Sequence, residues 1–268
     1  MDARSFIDIG LAAGREIMAV YAEMTIAAMR KSDGSPVTEA DQRAEAVILS
    51  GLQKLWPSVP VVAEEEAAAG RIPSASESFF LVDPLDGTRE FIERNGEFTV
   101  NIAFVAAGRP VAGLVYAPAL GQLFIGDQTG AWQADTQGGT IGVLNPIRVR
   151  PAPQRLTVVA SRANCGTDTH SWLEDLPIGE IVSRGSSLKF CLIAAGEADI
   201  YPRFGRTMEW DTAAGDAVLR AAGGELRCID GEAFTYGKRG RPGVSDFANP
   251  NFVALGDRTI VLPPASRG

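Results

Sequence analysis

The sequence predicts a layered α/β fold with mixed sheets, and three observations carry that expectation. Amphipathic helical patterns open the chain, alternating strand patterns separated by tight turns fill residues 98–133, and strand and helix patterns then take turns from residue 156 to 229. With 268 residues, 46% of them hydrophobic, there is material for one large domain or two joined layers. Turn chemistry at Gly138-Gly139, Asn145-Pro146 and Pro151/Pro153 puts a subdomain boundary near residue 150. An N-terminal α+β subdomain is therefore expected over 1–150 and a C-terminal α/β subdomain over 151–268.

Phe6, Ile9, Ala13, Ile17, Val20 and Tyr21 recur at helical spacing and predict a helix over 5–24. Lys31 to Pro36 is a polar loop. Thr38 and Asp41 have the spacing of a capping box, with Asp in place of the usual Glu. The helix they open is expected to bury Ala40, Ala44, Val47, Ile48, Leu52 and Leu55, and Pro57 stops it. Pro60 to Ala63 is a short strand running into Glu64-Glu65-Glu66, and Ala67 to Ser78 a loop of small residues. Phe79 to Val82 is a buried strand. Sheet follows at 98–105, 111–116, 122–125 and 131–133, with a turn at Gly108-Arg109-Pro110. In the second half, strands fit 156–160, 180–183, 199–201 and 225–229, and helices fit 168–176, 187–195 and 212–222.

A net charge of −8 makes a nucleic-acid backbone an unsuitable general partner. Cys165, Cys191 and Cys228 show neither disulfide-frame nor zinc spacing and fit packed thiols in a reducing compartment. No basic region followed by an apolar run opens the chain, and no apolar stretch reaches the length of a membrane span. A cytoplasmic, soluble protein is expected.

The chemistry concentrates in Asp83-Pro84-Leu85-Asp86-Gly87-Thr88. Two carboxylates follow a buried strand, Pro84 stiffens the turn, and Gly87 lets the backbone come close to a bound group. Thr88 stands at the start of a helical segment, where free N–H groups and the helix dipole favour an anion. Alone, the stretch also fits an ordinary turn. Glu64 is placed at a strand end, though three consecutive glutamates also fit a solvated acidic run. Asp211, before Thr212-Ala213-Ala214-Gly215, fits an N-cap as well as a ligand. Together these carboxylates form a hard-oxygen set suited to Mg²⁺ or Mn²⁺. His170 carries no motif and fits an ordinary surface residue.

Asp83 to Thr88 together with Trp210-Asp211-Thr212-Ala213-Ala214-Gly215 resembles the two signatures of the inositol monophosphatase superfamily, lithium-sensitive, magnesium-dependent phosphatases. Asp33 to Asp41, Glu90 to Ala103, Gly185 to Cys191 and Tyr201 to Gly205 resemble its bacterial 3'(2'),5'-bisphosphate nucleotidase branch, the CysQ type. These blocks run from about residue 31 to 223. The resemblance implies an αβαβα sandwich and metal ligands at Glu64, Asp83, the Leu85 carbonyl, Asp86 and Asp211, with Asp83 bridging two of two or three Mg²⁺ ions. It implies that Glu64 and Thr88 orient a nucleophilic water, with Asp41 assisting Thr88. The Gly87 and Thr88 amides would hold the scissile phosphate, and Ser186, Ser187 and Lys189, or Arg203, would wall the nucleotide pocket.

The implied activity is hydrolysis of the 3'-phosphate of adenosine 3',5'-bisphosphate to AMP and phosphate. 3'-Phosphoadenylyl sulfate is a second expected substrate, in sulfate assimilation. The same chemistry on inositol or sugar phosphates is the neighbouring alternative, and a non-catalytic regulator of transcription the alternative of another class. The substrate is thus a small phosphorylated nucleotide, and relatives include monomers and homodimers. Association with the cytoplasmic membrane face is sometimes assigned to relatives, but no basic amphipathic segment here supports it. Ala63 and Glu209 depart from or vary within the resembled pattern, and Lys31 could reach an anion.

Overall fold

A computed structural model describes residues 1–23, 28–30, 36–160 and 167–263. After a 3₁₀ turn (Ala3–Phe6), helix α1 (Ile7–Tyr21) is followed by the hairpin β1 (Ala28–Arg30) and β2 (Pro36–Thr38), then α2 (Glu39–Leu55). The Lys31 and Asp33 portion of the polar loop lies outside the described residues, as does Cys165. Thr38 and Asp41 form the expected capping box. Ala40, Ala44, Ile48 and Leu52 are buried, whereas Leu55, in the last turn of α2, is 51% exposed.

The larger sheet is built from β3 (Val61–Ala63), β4 (Ser78–Asp86), β5 (Thr99–Ala106), β6 (Arg109–Ala117), β7 (Gln122–Asp127), β8 (Gly130–Gln137), β9 (Thr140–Ile141) and β10 (Asn145–Ile147). Its order is β10-β8-β7-β6-β5-β4-β3, with β9 paired to β8. Two short helices, α3 (Glu64–Ala68) and α4 (Thr88–Ile92), leave the ends of β3 and β4. Glu64 therefore opens a single helical turn directly after its strand, and the loop expected from Ala67 begins two residues later.

The smaller sheet has order β12-β11-β13-β15-β14 and comprises β11 (Leu156–Ala160), β12 (Ile178–Ser183), β13 (Ile200–Arg203), β14 (Glu225–Cys228) and β15 (Phe252–Leu255). Helices α5 (Thr167–Leu173), α6 (Leu188–Ala194) and α7 (Glu209–Ala221) complete the chain. α7 starts three residues earlier than its sequence pattern indicates, since Glu209 and Trp210 are buried and pack as helix.

Packing produces five layers. α1 and α2 cover one face of the larger sheet through Phe6, Ile17, Ile48, Leu52, Phe80 and Leu114. α6 and α7 fill the space between the sheets, where Phe190, Trp210, Val218 and Phe252 share one core with Leu81, Val105 and Phe124. On the far side, Trp172 and Leu173 of α5 pack against Val158, Ile200 and Val253. This is the αβαβα sandwich. The sheet changes between Ile147 and Leu156, while the central core crosses that point. α7 lies against the larger sheet at two glycines: a Cβ at Gly113 would stand 2.7 Å from the Ala214 carbonyl oxygen, and one at Gly126 2.6 Å from Val218 Cα.

Candidate functional site

Parallel pairing of β3 with β4 puts Ala63 beside Val82, so Glu64 and Asp83 emerge next to each other. On the other side Asp83 faces Asn101 and Asp86 faces Thr99, with a register shift between. Three steps on β4 thus match two on β5. Without that bulge, Asp83 and Asp86 would point to opposite faces; with it they share the face of Thr99 and Asn101. Leu85 N–H closes the bend onto Asp83 Oδ1 at 3.0 Å.

Asp211 arrives from the other side of the core. It is not the N-cap of α7 but sits in the first turn, and its Oδ2 accepts the Met208 N–H at 2.8 Å. Glu64, Asp83 and Asp211 each offer a carboxylate oxygen within 4.8 Å of the others. Burial pushes Asp83 well above the usual carboxylate range, and the charges of Glu64, Asp86 and Asp211 push it further. Asp211 is raised likewise, by burial and then by Asp86 and Glu64, against the pull of the Met208 amide and Arg203. Carboxylates forced together in a poorly solvated place call for a cation. With oxygen as the sole donor type in the cluster, the set fits a hard divalent ion.

Two residues of α2 reach this region. Asp41, 1% exposed, takes the Thr38 N–H and hydroxyl on Oδ2, both at 2.7 Å. Its Oδ1 accepts the Thr88 hydroxyl at 3.3 Å, and the Leu85 carbonyl is an equally distant alternative acceptor. One turn later Glu45 accepts the Glu65 and Glu66 N–H groups at 2.8 and 3.0 Å. Ala63 provides no side-chain cap for α3, and the carboxylate from α2 does so instead. Burial lifts Glu45 to about 7 against the downward pull of these amides. Gly87, at φ +91°, turns the chain from β4 into α4, where Thr88 holds the first position.

The turn before α6 comes against Asp86. Ser186, at φ +53°, donates to Asp86 Oδ2 at 2.7 Å, and Ser187 Oγ lies 3.2 Å from the same oxygen. Lys189, which the resemblance places in the wall of the nucleotide pocket, is buried. It is 6% exposed, and its Nζ donates to the carbonyls of Ser186 at 2.5 Å and Arg184 at 3.4 Å. Burial lowers it to about 8, and Asp86 opposes that shift. Ser187, 1% exposed, is also behind the carboxylates. Arg203 is half-buried at the end of β13.

His170 is exposed on α5, and Cys191 is buried with its thiol pushed up by burial alone. Glu209 is fully buried and anchors the Gly237 and Lys238 amides at 2.6 and 2.9 Å, a structural post for the loop after β14. Sequence reasoning missed Glu45 and Asn101. A lone amide in the apolar run Phe98 to Val105 was a usable signal for Asn101, but nothing in α2 distinguishes Glu45 from its solvent-facing neighbours.

The inositol monophosphatase family model matches residues 3–251. The chain is 44% identical over 241 residues to the 3'(2'),5'-bisphosphate nucleotidase CysQ of Salmonella typhimurium, covering 90% of this chain and 94% of that protein. It is 43% identical to the protein of the same name from Escherichia coli K12, with the same coverage. The crystal structure of CysQ from Bacteroides thetaiotaomicron superposes with a TM-score of 0.76 at 36% identity, covering 96% of this chain and 97% of that one.

Proposed function

We propose, since the chain belongs to the inositol monophosphatase family, that it is a Mg²⁺-dependent phosphatase removing the 3'-phosphate of adenosine 3',5'-bisphosphate to give AMP and phosphate. The observation that carries this is the convergence of Glu64, Asp83 and Asp211 from three separate elements within 4.8 Å. Glu64, Asp83, Asp86, Asp211 and the Leu85 carbonyl would hold the metal. Divalent ions, when bound, screen phosphoryl charge and lower the pKa of water, with Mn²⁺ able to replace Mg²⁺.

The chain's own groups do the rest. Thr88 donates its hydroxyl hydrogen bond to Asp41, so its oxygen keeps a lone pair to receive a hydrogen bond from the attacking water. Asp41 cannot swing away, because Thr38 holds its other oxygen. Glu64 directs the same water from the β3 side. The Gly87 and Thr88 N–H groups, at a helix start without intrahelical acceptors, bind the scissile phosphate. Ser186 and Arg203 form the rim toward the second phosphate, while Ser187 and Lys189 support it from behind. Free Cys191 and Cys228 suit a cytoplasmic setting, and no helix among the described residues is long and apolar enough to cross a membrane.

Phosphate release from adenosine 3',5'-bisphosphate, with and without Mg²⁺ and beside inositol 1-phosphate, tests the proposal. Mg²⁺-dependent turnover favouring the nucleotide is expected. Equal turnover of both substrates would return the chain to a general sugar phosphatase, and no turnover of either would remove the assignment.

A further inference from the structure

We infer that Asn101 and Ser187 are a positioning pair that keeps Asp86, from the larger sheet, in register with Asp211 at the head of α7. The inference rests on the metal-site reading above and concerns how two of its carboxylates are kept together.

Asn101 lies on β5 opposite Asp83 and is 1% exposed. Its Oδ1 lies 3.0 Å from the Thr99 hydroxyl, and the Asp86 carboxylate on the other side, which can only accept, fixes which way the amide points. Nδ2 therefore faces Ser187 Oγ at 2.9 Å and Asp86 Oδ2 at 3.5 Å. Ser187 has one proton to give. With the Asn101 donor on one lone pair, that proton goes to the Asp211 carbonyl at 2.8 Å in preference to Asp86 at 3.2 Å. The sequence of bonds runs from the β5 amide, through the hydroxyl before α6, to the backbone of α7. Asp86 itself is held by Ser186.

The pair belongs to a lacing between one strand face and one turn. Glu97, Thr99 and Asn101 alternate along the chain and meet Gly185, Ser186 and Ser187 in order. Gly185 N–H donates to Glu97 Oε2 at 2.9 Å, Thr99 and Ser186 share a short hydroxyl contact, and Asn101 donates to Ser187. Only glycine fits at the first step, since a Cβ on Gly185 would stand 2.8 Å from the Glu97 carbonyl oxygen. Both Asn101 and Ser187 are too deep to touch a nucleotide, so their influence on the reaction passes through the carboxylates.

The test is Mg²⁺ titration by calorimetry without substrate, on the parent, Asn101→Asp, Asn101→Ala, Ser187→Ala, Ser187→Thr and the double variant N101A/S187A. Supporting partners of metal ligands contribute about tenfold or more in affinity. Binding is expected to weaken by about tenfold in N101A and S187A and by more in N101D, which sets a carboxylate against Asp86. S187T should recover part of the loss, and the double variant should be no weaker than the worse single. KM for the nucleotide at saturating Mg²⁺ should stay near the parental value. Unchanged metal affinity with a lowered Tm would make the pair merely structural and overturn the inference. Raised KM with unchanged metal affinity would make Ser187 a substrate contact and overturn it too. A parent that binds no divalent ion would remove the metal reading instead; additive Tm losses in the three alanine variants would then sink the pairing as well, and non-additive losses would retain it.

Discussion

The Thr88 hydroxyl and the Asp41 carboxylate meet at 3.3 Å, one from the start of α4 and the other from the first turn of α2. The contact ties the capping box of a scaffold helix to the phosphate end of β4. Asp41 thereby has two duties, closing α2 on Thr38 and orienting Thr88.

Those duties separate by mutation. Thr88→Ala should lower kcat by about 10²–10³-fold, in the range of a lost proton-handling group, with little change in stability. Asp41→Asn should lower kcat similarly and also cost about 1 kcal/mol, because a neutral amide oxygen holds the two Thr38 donors and the helix N-terminus less strongly than a carboxylate. Thr88→Ser should keep most activity. Steady-state kinetics beside urea unfolding distinguishes the three; a fully active T88A would exclude the hydroxyl from the reaction.

The closeness of α7 to the larger sheet carries a second expectation. At Gly126 a methyl group would meet Val218 Cα at 2.6 Å and the Ala217 carbonyl oxygen at 3.0 Å, all backbone atoms that cannot turn aside. Gly126→Ala should destabilise the fold by about 1–3 kcal/mol, as overpacking does. Chemical denaturation would measure it, and an unchanged midpoint would mean the sheet yields more easily than its packing indicates.

Much of this arrangement was legible before any coordinates. Phe79 to Val82 followed by two aspartates reads as a strand delivering ligands because a buried strand is apolar on both faces. The resemblance supplied Asp211 and Glu64 as partners. What stayed hidden depends on long-range approach. Glu45 occupies an ordinary-looking helical position, and its cap on α3 exists only because α2 crosses the end of β3. Lys189 is implied as part of the nucleotide-pocket wall, yet α6 turns it inward beneath Asp86. The bulge at Pro84–Leu85 is invisible to a two-residue alternation, which would have separated Asp83 from Asp86.

Glu45 gives a pH-dependent expectation. Its folded value, about 7, stands above the 4.5 of an unperturbed glutamate, and burial is the leading cause. Below 4.5 the group is neutral folded or unfolded, and its contribution to stability is full. As pH rises through 7 the unfolded chain has already ionised, and about 3 kcal/mol of that contribution is lost. Glu45→Gln cannot titrate. The stability of the parent relative to E45Q should therefore fall between pH 4.5 and 8 in metal-free buffer, and a constant difference would count against the buried, uphill carboxylate.

Asp83→Asn sets function against stability most directly. Without metal, the folded chain holds Asp83 beside Glu64, Asp86 and Asp211, and its raised pKa means that ionising it costs folding free energy as pH rises. An amide of the same shape removes that cost, so D83N should have a higher Tm than the parent in EDTA at pH 8 and a smaller advantage at lower pH. The same amide cannot neutralise cations as a carboxylate does, and turnover should drop by at least about 10³-fold. Mg²⁺ should raise the parental Tm more at pH 8 than at pH 5.5, because protonated carboxylates do not compete for it, and should raise that of D83N much less. Retained turnover in D83N, or a parental Tm indifferent to Mg²⁺, would leave these carboxylates without the role their convergence implies.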